Sequence, residues 1–157
     1  MYHFRMTWRF AGPIETVWDT IHTPTEWPKW WRNCRRVEPL RDGDADGVGA
    51  VQRFTMQTRL PYRLQFAIRT TRSEPPRRLE GSVEGNLEGT VRWELEQDGA
   101  VAIVRYFWDV RPTKPWMRTL SPVLRPVFVW NHRSMMRRGA RGLSRMMGLE
   151  LVGQEYS

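Results

Sequence analysis

The stretch LEGTVRWELEQDGAVAIVRYFWDV, residues 87–110, holds two alternating runs joined by one turn. Leu87, Gly89, Val91, Trp93 and Leu95 share one face, and Glu88, Thr90, Arg92, Glu94 and Glu96 the other. Beyond Asp98-Gly99 the apolar face resumes with Ala102, Val104, Tyr106, Trp108 and Val110. A period of two sends successive side chains to opposite faces of a strand, and Asp-Gly supplies the backbone angles of a tight hairpin. The segment is therefore an antiparallel hairpin, dry on one face and wet on the other, which Pro112 stops.

The same pattern extends upstream. Phe54, Met56, Thr58 and Leu60 share one face of a strand, and Pro61 turns the chain into Leu64, Phe66 and Ile68 on the next. Leu79–Gly85 reads as a strand weakened by two glycines, a mark of strong bending. A short strand precedes the turn at Asp42–Gly47, and Tyr2, Phe4, Met6, Trp8 and Phe10 form the dry face of an N-terminal strand. Between them, Pro13 opens a helix carrying Val17, Trp18 and Ile21, and Pro24 ends it. A second helical piece is predicted over 25–32, capped by Thr25 and carrying Trp27, Trp30 and Trp31.

Downstream, Thr113-Lys114-Pro115 predicts a short helical turn. Ser121-Pro122 is a cap-then-proline start for a long helix running to about Met147 and closed by Gly148. Leu124, Phe128, Asn131, Met135, Arg138 or Gly139, Gly142 and Met146 recur at spacings of three and four on its inner stripe. The order predicts an α+β fold of the helix-grip kind: a seven-stranded curved antiparallel sheet wrapped around a long C-terminal helix, with two short helices after the first strand. One helix cannot seal such a sheet, so an apolar cavity is expected between them, of roughly 300 to 1,000 Å³ for a small ligand.

Composition narrows the function classes. At 157 residues the chain suits one domain, with 40% hydrophobic and 27% charged residues as in ordinary globular proteins. No apolar run reaches a membrane span, and the N-terminus alternates instead of forming a signal core, so the expected location is cytoplasmic. Cys34 is the single cysteine, and His3, His22 and His132 have no zinc spacing, so neither metal nor cofactor is expected. The net charge is +8, but the cations are spread along the chain and no nucleic-acid-binding signature accompanies them. Nucleic acid is not an expected partner.

The sequence resembles the SRPBCC superfamily of START-like and birch-pollen-allergen-like domains, and within it the bacterial polyketide cyclase/dehydrase and lipid-transport group. The resemblance spans nearly the whole chain. It lies in Pro13-Ile14-Glu15-Thr16-Val17-Trp18, Trp27-Pro28-Lys29-Trp30-Trp31, Gly85-Asn86-Leu87-Glu88-Gly89 with Trp93-Glu94-Leu95, and Trp130-Asn131-His132. It implies a single START-like ligand-binding domain over residues 1–157 with a cavity for an apolar or amphipathic ligand. It implies no particular reaction, because one fold hosts many functions. The hydroxylase members carry paired Cys and His ligands for an iron-sulfur cluster, which a chain with one cysteine cannot supply.

Nine tryptophans, eight methionines and six phenylalanines suit a wall for bulky apolar molecules. The predicted wall is Trp8, Phe54, Met56, Leu64, Phe66, Trp93, Tyr106, Trp108, Phe128 and Met135, although apolar periodicity marks only burial and favours core for any one of them. Asn131 on the inner stripe is the orienting group, or else a helix-to-strand link. His132 and Tyr106 are the candidates for proton transfer, although adjacency to Asn131 turns His132 about 100° off the stripe, toward an exposed or structurally bonded position. Arg133, Arg137, Arg141 and Arg145 form a solvated face or a weak contact with a membrane surface. The predicted function is binding or carriage of a small hydrophobic or aromatic molecule (lipid, quinone or polyketide-like) by a monomer or homodimer. A cyclase/dehydratase enzyme and a co-chaperone-like interaction module are the alternatives.

Overall fold

A computed structural model describes residues 2–157. In chain order it contains β1 (Tyr2–Ala11), α1 (Ile14–Ile21), a 3₁₀ turn (Pro24–Glu26) leading into α2 (Trp27–Trp30), β2 (Cys34–Arg41), β3 (Val51–Gln57), β4 (Arg63–Glu74), β5 (Arg78–Gly85), β6 (Leu87–Asp98), β7 (Val101–Pro112), α3 (Pro115–Met147) and β8 (Glu150–Tyr156). The strands form one antiparallel sheet in the order β2-β3-β4-β5-β6-β7-β1-β8. The helix-grip architecture is as predicted. The opening hairpin is β6–β7, with Trp93 opposite Tyr106 and Val91 opposite Trp108.

Three elements differ from the sequence reading. The sheet has eight strands, not seven, because the chain after α3 returns to pair β8 with β1. β1 is flanked by β7 on one side only, so its other edge offers unpaired backbone groups that β8 satisfies. The long helix also starts at Pro115 rather than Pro122 and runs for 33 residues without a break at either internal proline. Proline fits a helix start because its missing N–H is an orphan there, and Pro115 fills that role. Pro122 and Pro126 are exposed, so the carbonyls that lose a helical partner remain open to water. The second helical piece is also tighter than expected, and Thr25 makes no side-chain cap.

Close backbone approaches set the shape. Gly89 sits at φ +146, and a Cβ there would lie 2.0 Å from the Asp109 carbonyl oxygen on β7. On α3, a Cβ at Gly142 would fall 1.7 Å from the Trp30 carbonyl oxygen, so the helix rests directly on the α2 backbone. Burial along α3 is uneven. Before Phe128 only Met117 is buried, whereas Asn131, Met135, Met136, Gly139, Ala140, Gly142 and Leu143 bury the later part.

The apolar interior divides in two. The larger cluster joins the sheet's dry face to α1, α2 and the later part of α3, while a smaller one gathers Tyr2, Met117 and Phe128 with half-buried Leu60, Tyr62 and Leu124. On the wet face, cross-strand ion pairs neutralise sheet arginines: Arg105 with Glu96 at 2.8 Å, Arg5 with Asp109 at 2.9 Å and Arg111 with Glu88.

Candidate functional site

Between the two clusters lies an apolar cavity of about 90 Å³. It is far smaller than the size expected from the sequence. Its walls come from β1 (Tyr2, Phe4), β3 and β4 (Met56, Leu64, Phe66), the β3–β4 turn (Tyr62), the β6–β7 hairpin (Leu87, Trp108, Val110, Pro112), Trp31, and α3 (Met117, Phe128, Asn131, His132, Met135, Met136).

Of the sequence-predicted wall, Met56, Leu64, Phe66, Trp108, Phe128, Asn131 and Met135 line this cavity. Trp8, Phe54, Trp93 and Tyr106 lie outside it. They fill the other end of the interior: Trp93 stacks on Tyr106 at 3.5 Å, Trp8 meets Trp93 at 5.8 Å, and Trp27 reaches both Phe54 and Trp93. Large flat rings that pack on one another consume the volume that the bent sheet would otherwise leave open. That packing is why the cavity is small. Phe54, Trp93 and Tyr106 border a second recess of only about 30 Å³.

His132 lines the cavity, contrary to its expected position off the inner stripe. Its ring stacks on Phe4 at 3.7 Å and meets Trp108 edge to face at 6.2 Å, and neither buried ring nitrogen has a hydrogen-bond partner among the described residues. The inner stripe is wide enough to take adjacent residues because the sheet curls around the helix. Burial, with a lesser push from the Arg133 charge, brings the His132 pKa down to about 3, so the imidazole is neutral at ordinary pH.

Asn131 is buried beside it. Its Oδ1 accepts from the Arg59 backbone N–H at 3.3 Å, while its amide N–H group has only the Met135 sulfur at 3.9 Å. The carboxamide thus ties α3 to the β3–β4 turn and keeps unspent donor capacity at the cavity. The Tyr106 hydroxyl and the Trp108 indole N–H feel one another electrostatically but fall outside hydrogen-bond geometry, and burial raises the Tyr106 pKa well above its ordinary value. Cys34 is buried with its thiol pushed up to about 12, which leaves it unreactive. Among the described residues no group of three acidic, His or Cys side chains is placed to hold a metal. Among the same residues no helix is long and apolar enough to cross a membrane.

Beside the cavity, the first half of α3 exposes Trp116, Leu120, Val123, Val127 and Trp130 at spacings of three and four. Arg137 lies over the Tyr156 ring at 5.4 Å, whereas Arg141 and Arg145 border a groove beside α2.

A curved antiparallel sheet closed by one long C-terminal helix over an apolar cavity defines a START-like domain of the SRPBCC superfamily. The chain belongs to the polyketide cyclase/dehydrase and lipid transport family, whose profile matches residues 1–148. A Thermus thermophilus protein is similar in structure with a TM-score of 0.77 at 14% identity, covering 93% of this chain and 97% of that one. A START superfamily protein of Mycobacterium smegmatis gives 0.74 at 13% identity, covering 94% and 98%. The Zhui aromatase/cyclase of Streptomyces sp. R1128 gives 0.67 at 14% identity, covering 92% and 94%. At these identities the likeness is one of fold. No curated protein sequence matches the chain significantly.

Proposed function

We propose that the chain binds a small, mainly apolar molecule bearing one polar group, between α3 and the sheet. The observation that carries this reading is His132, a half-buried residue whose two ring nitrogens are buried at an apolar cavity and unbonded. A buried polar group without a partner costs about 1–3 kcal/mol, and a ligand hydroxyl or carbonyl would recover part of that cost. The neighbouring Asn131 amide adds a second donor, so the two side chains orient the ligand while burial of its apolar part supplies the affinity.

A cavity of about 90 Å³ admits a single ring or a short alkyl segment. A larger ligand enters by displacing the first half of α3, which before Phe128 buries only one residue, Met117. Binding is favoured over cyclase or dehydratase chemistry by the protonation states. A neutral imidazole with a pKa near 3 is a poor acid or base at neutral pH, and Tyr106 holds its proton outside the main cavity.

A second reading has one observation behind it: the exposed apolar stripe from Trp116 to Trp130 suits an interaction module whose partner covers α3. The test separating the two is titration with the neutral dye N-phenyl-1-naphthylamine. The variant Val110→Phe, which fills the cavity from its wall, should weaken dye binding about tenfold or more while the melt remains cooperative. Unchanged affinity, with Val123→Ser abolishing binding instead, would transfer the dye to the outer stripe and refute the cavity reading.

A further inference from the structure

On the opposite side of the Trp30–Trp31 pair from the cavity lies an open groove of about 670 Å³ between α2 and the last third of α3. Trp31 lines the cavity and Trp30 lines the groove, with their rings stacked at 5.7 Å. One wall carries Lys29 and Arg32, and the other carries Arg138, Arg141 and Arg145 at spacings of three and four. Among the described residues no carboxylate borders the groove. Lys29 pairs with Glu26, but Arg32, Arg138, Arg141 and Arg145 enter no ion pair among the described residues.

Several sheet arginines pair with carboxylates, as Arg105 with Glu96 and Arg111 with Glu88 across strands and Arg92 with Glu94 along one, while α3 has seven arginines and no acidic residue in its 33 positions. The walls are held together by the direct seating of Gly142 on the Trp30 backbone, so the guanidinium groups converge from two elements instead of fanning out from one. Like charges lining one groove raise the local concentration of anions. Planar guanidinium forks match the oxygen geometry of phosphate in particular.

We propose that this groove is a binding site for a multiply charged phosphate group, held by Arg32, Arg138, Arg141 and Arg145. The site is separate from the apolar cavity and stands whether or not that cavity takes a ligand. A soluble phosphate compound and the headgroup of an anionic lipid offer the same chemistry, and two measurements distinguish them.

Calorimetric titration of the full chain with inorganic pyrophosphate at about 0.15 M ionic strength should give saturable binding. The pair Arg138→Gln with Arg141→Gln should weaken it about tenfold or more, and Arg32→Gln with Arg145→Gln should do the same from both walls. The charge-matched pair Arg41→Gln with Arg53→Gln, exposed on β2 and β3, should change it less than about twofold. Co-sedimentation with phosphatidylcholine vesicles containing phosphatidic acid is the second measurement. Groove-dependent binding there identifies a headgroup site, and pyrophosphate binding alone identifies a soluble ligand. Equal weakening by the groove and control pairs, or no binding to either probe, overturns the proposal.

Discussion

Replacing His132 by phenylalanine makes the cost of that buried imidazole measurable. Phenylalanine keeps a flat ring against Phe4, which stacks on His132 at 3.7 Å, and removes two ring nitrogens that have no partner. At neutral pH the variant should be more stable than the parent by about 1 kcal/mol or more, because no unpaired polar atom remains to be desolvated. The pH dependence is the sharper test. The folded-state pKa of His132 is depressed to about 3 from an ordinary value of 6.5. Between these values the unfolded chain binds a proton that the folded chain refuses, so the stability linked to His132 is fully present above about pH 6.5 and falls as pH drops toward 3. Each unit is worth about 1.4 kcal/mol, so by about pH 4.5 the parent should have lost about 2–3 kcal/mol that His132→Phe does not lose. Urea denaturation of both proteins at about pH 7.5 and about pH 4.5 isolates this difference, since every other titrating group is common to the pair. If the two stabilities decline in parallel, within about 0.5 kcal/mol, the imidazole is not buried and unpaired as described.

Two further predictions concern packing. Trp93→Ala should act on stability and not on the cavity: it removes a ring stacked at 3.5 Å on Tyr106 and in contact with Trp8 and Trp27, so it should cost about 3–5 kcal/mol in denaturant midpoint experiments while N-phenyl-1-naphthylamine affinity per folded molecule stays within about twofold. Gly142→Ala places a methyl group 1.7 Å from the Trp30 carbonyl oxygen, a backbone atom that cannot rotate away, so thermal unfolding should show a loss of about 3 kcal/mol or more; a neutral effect would mean that α3 does not rest on α2.

Much of the architecture was legible because it rests on local periodicity. The 87–110 hairpin, the N-terminal strand and the glycine-closed end of α3 each announce themselves within a few residues of sequence. The eighth strand did not, since Glu150–Tyr156 has few apolar markers on one face and its existence depends on the vacant edge of β1 at the far end of the chain. The start of α3 was misplaced because a helix-start rule fits Pro115 and Pro122 equally, and exposure, which permits the interior prolines, is a tertiary property. Within the site, periodicity identified the buried face but not the division of labour on it. Met56, Phe66 and Trp108 border empty space while Trp8, Trp93 and Tyr106, drawn from the same faces, fill it, and only the mutual stacking of the rings decides which is which. The pattern also placed His132 outside, because a stripe drawn through single positions ignores how far a curled sheet reaches around a helix.

The uneven burial of α3 makes it one helix in geometry and two in energetics. From Asn131 onward its inner side is locked against the sheet and the α2 backbone, while the segment from Pro115 to Val127 buries only Met117 and is otherwise tied at its surface, by the Tyr2–Ser121 hydroxyl pair and the contact of Trp116 with Tyr62. The rod is therefore clamped at one end and lightly latched at the other, with Asn131 and His132 at the fulcrum. Whatever lifts the latched end moves that polar pair least, so the orienting groups keep their position through changes in the size of the space beside them.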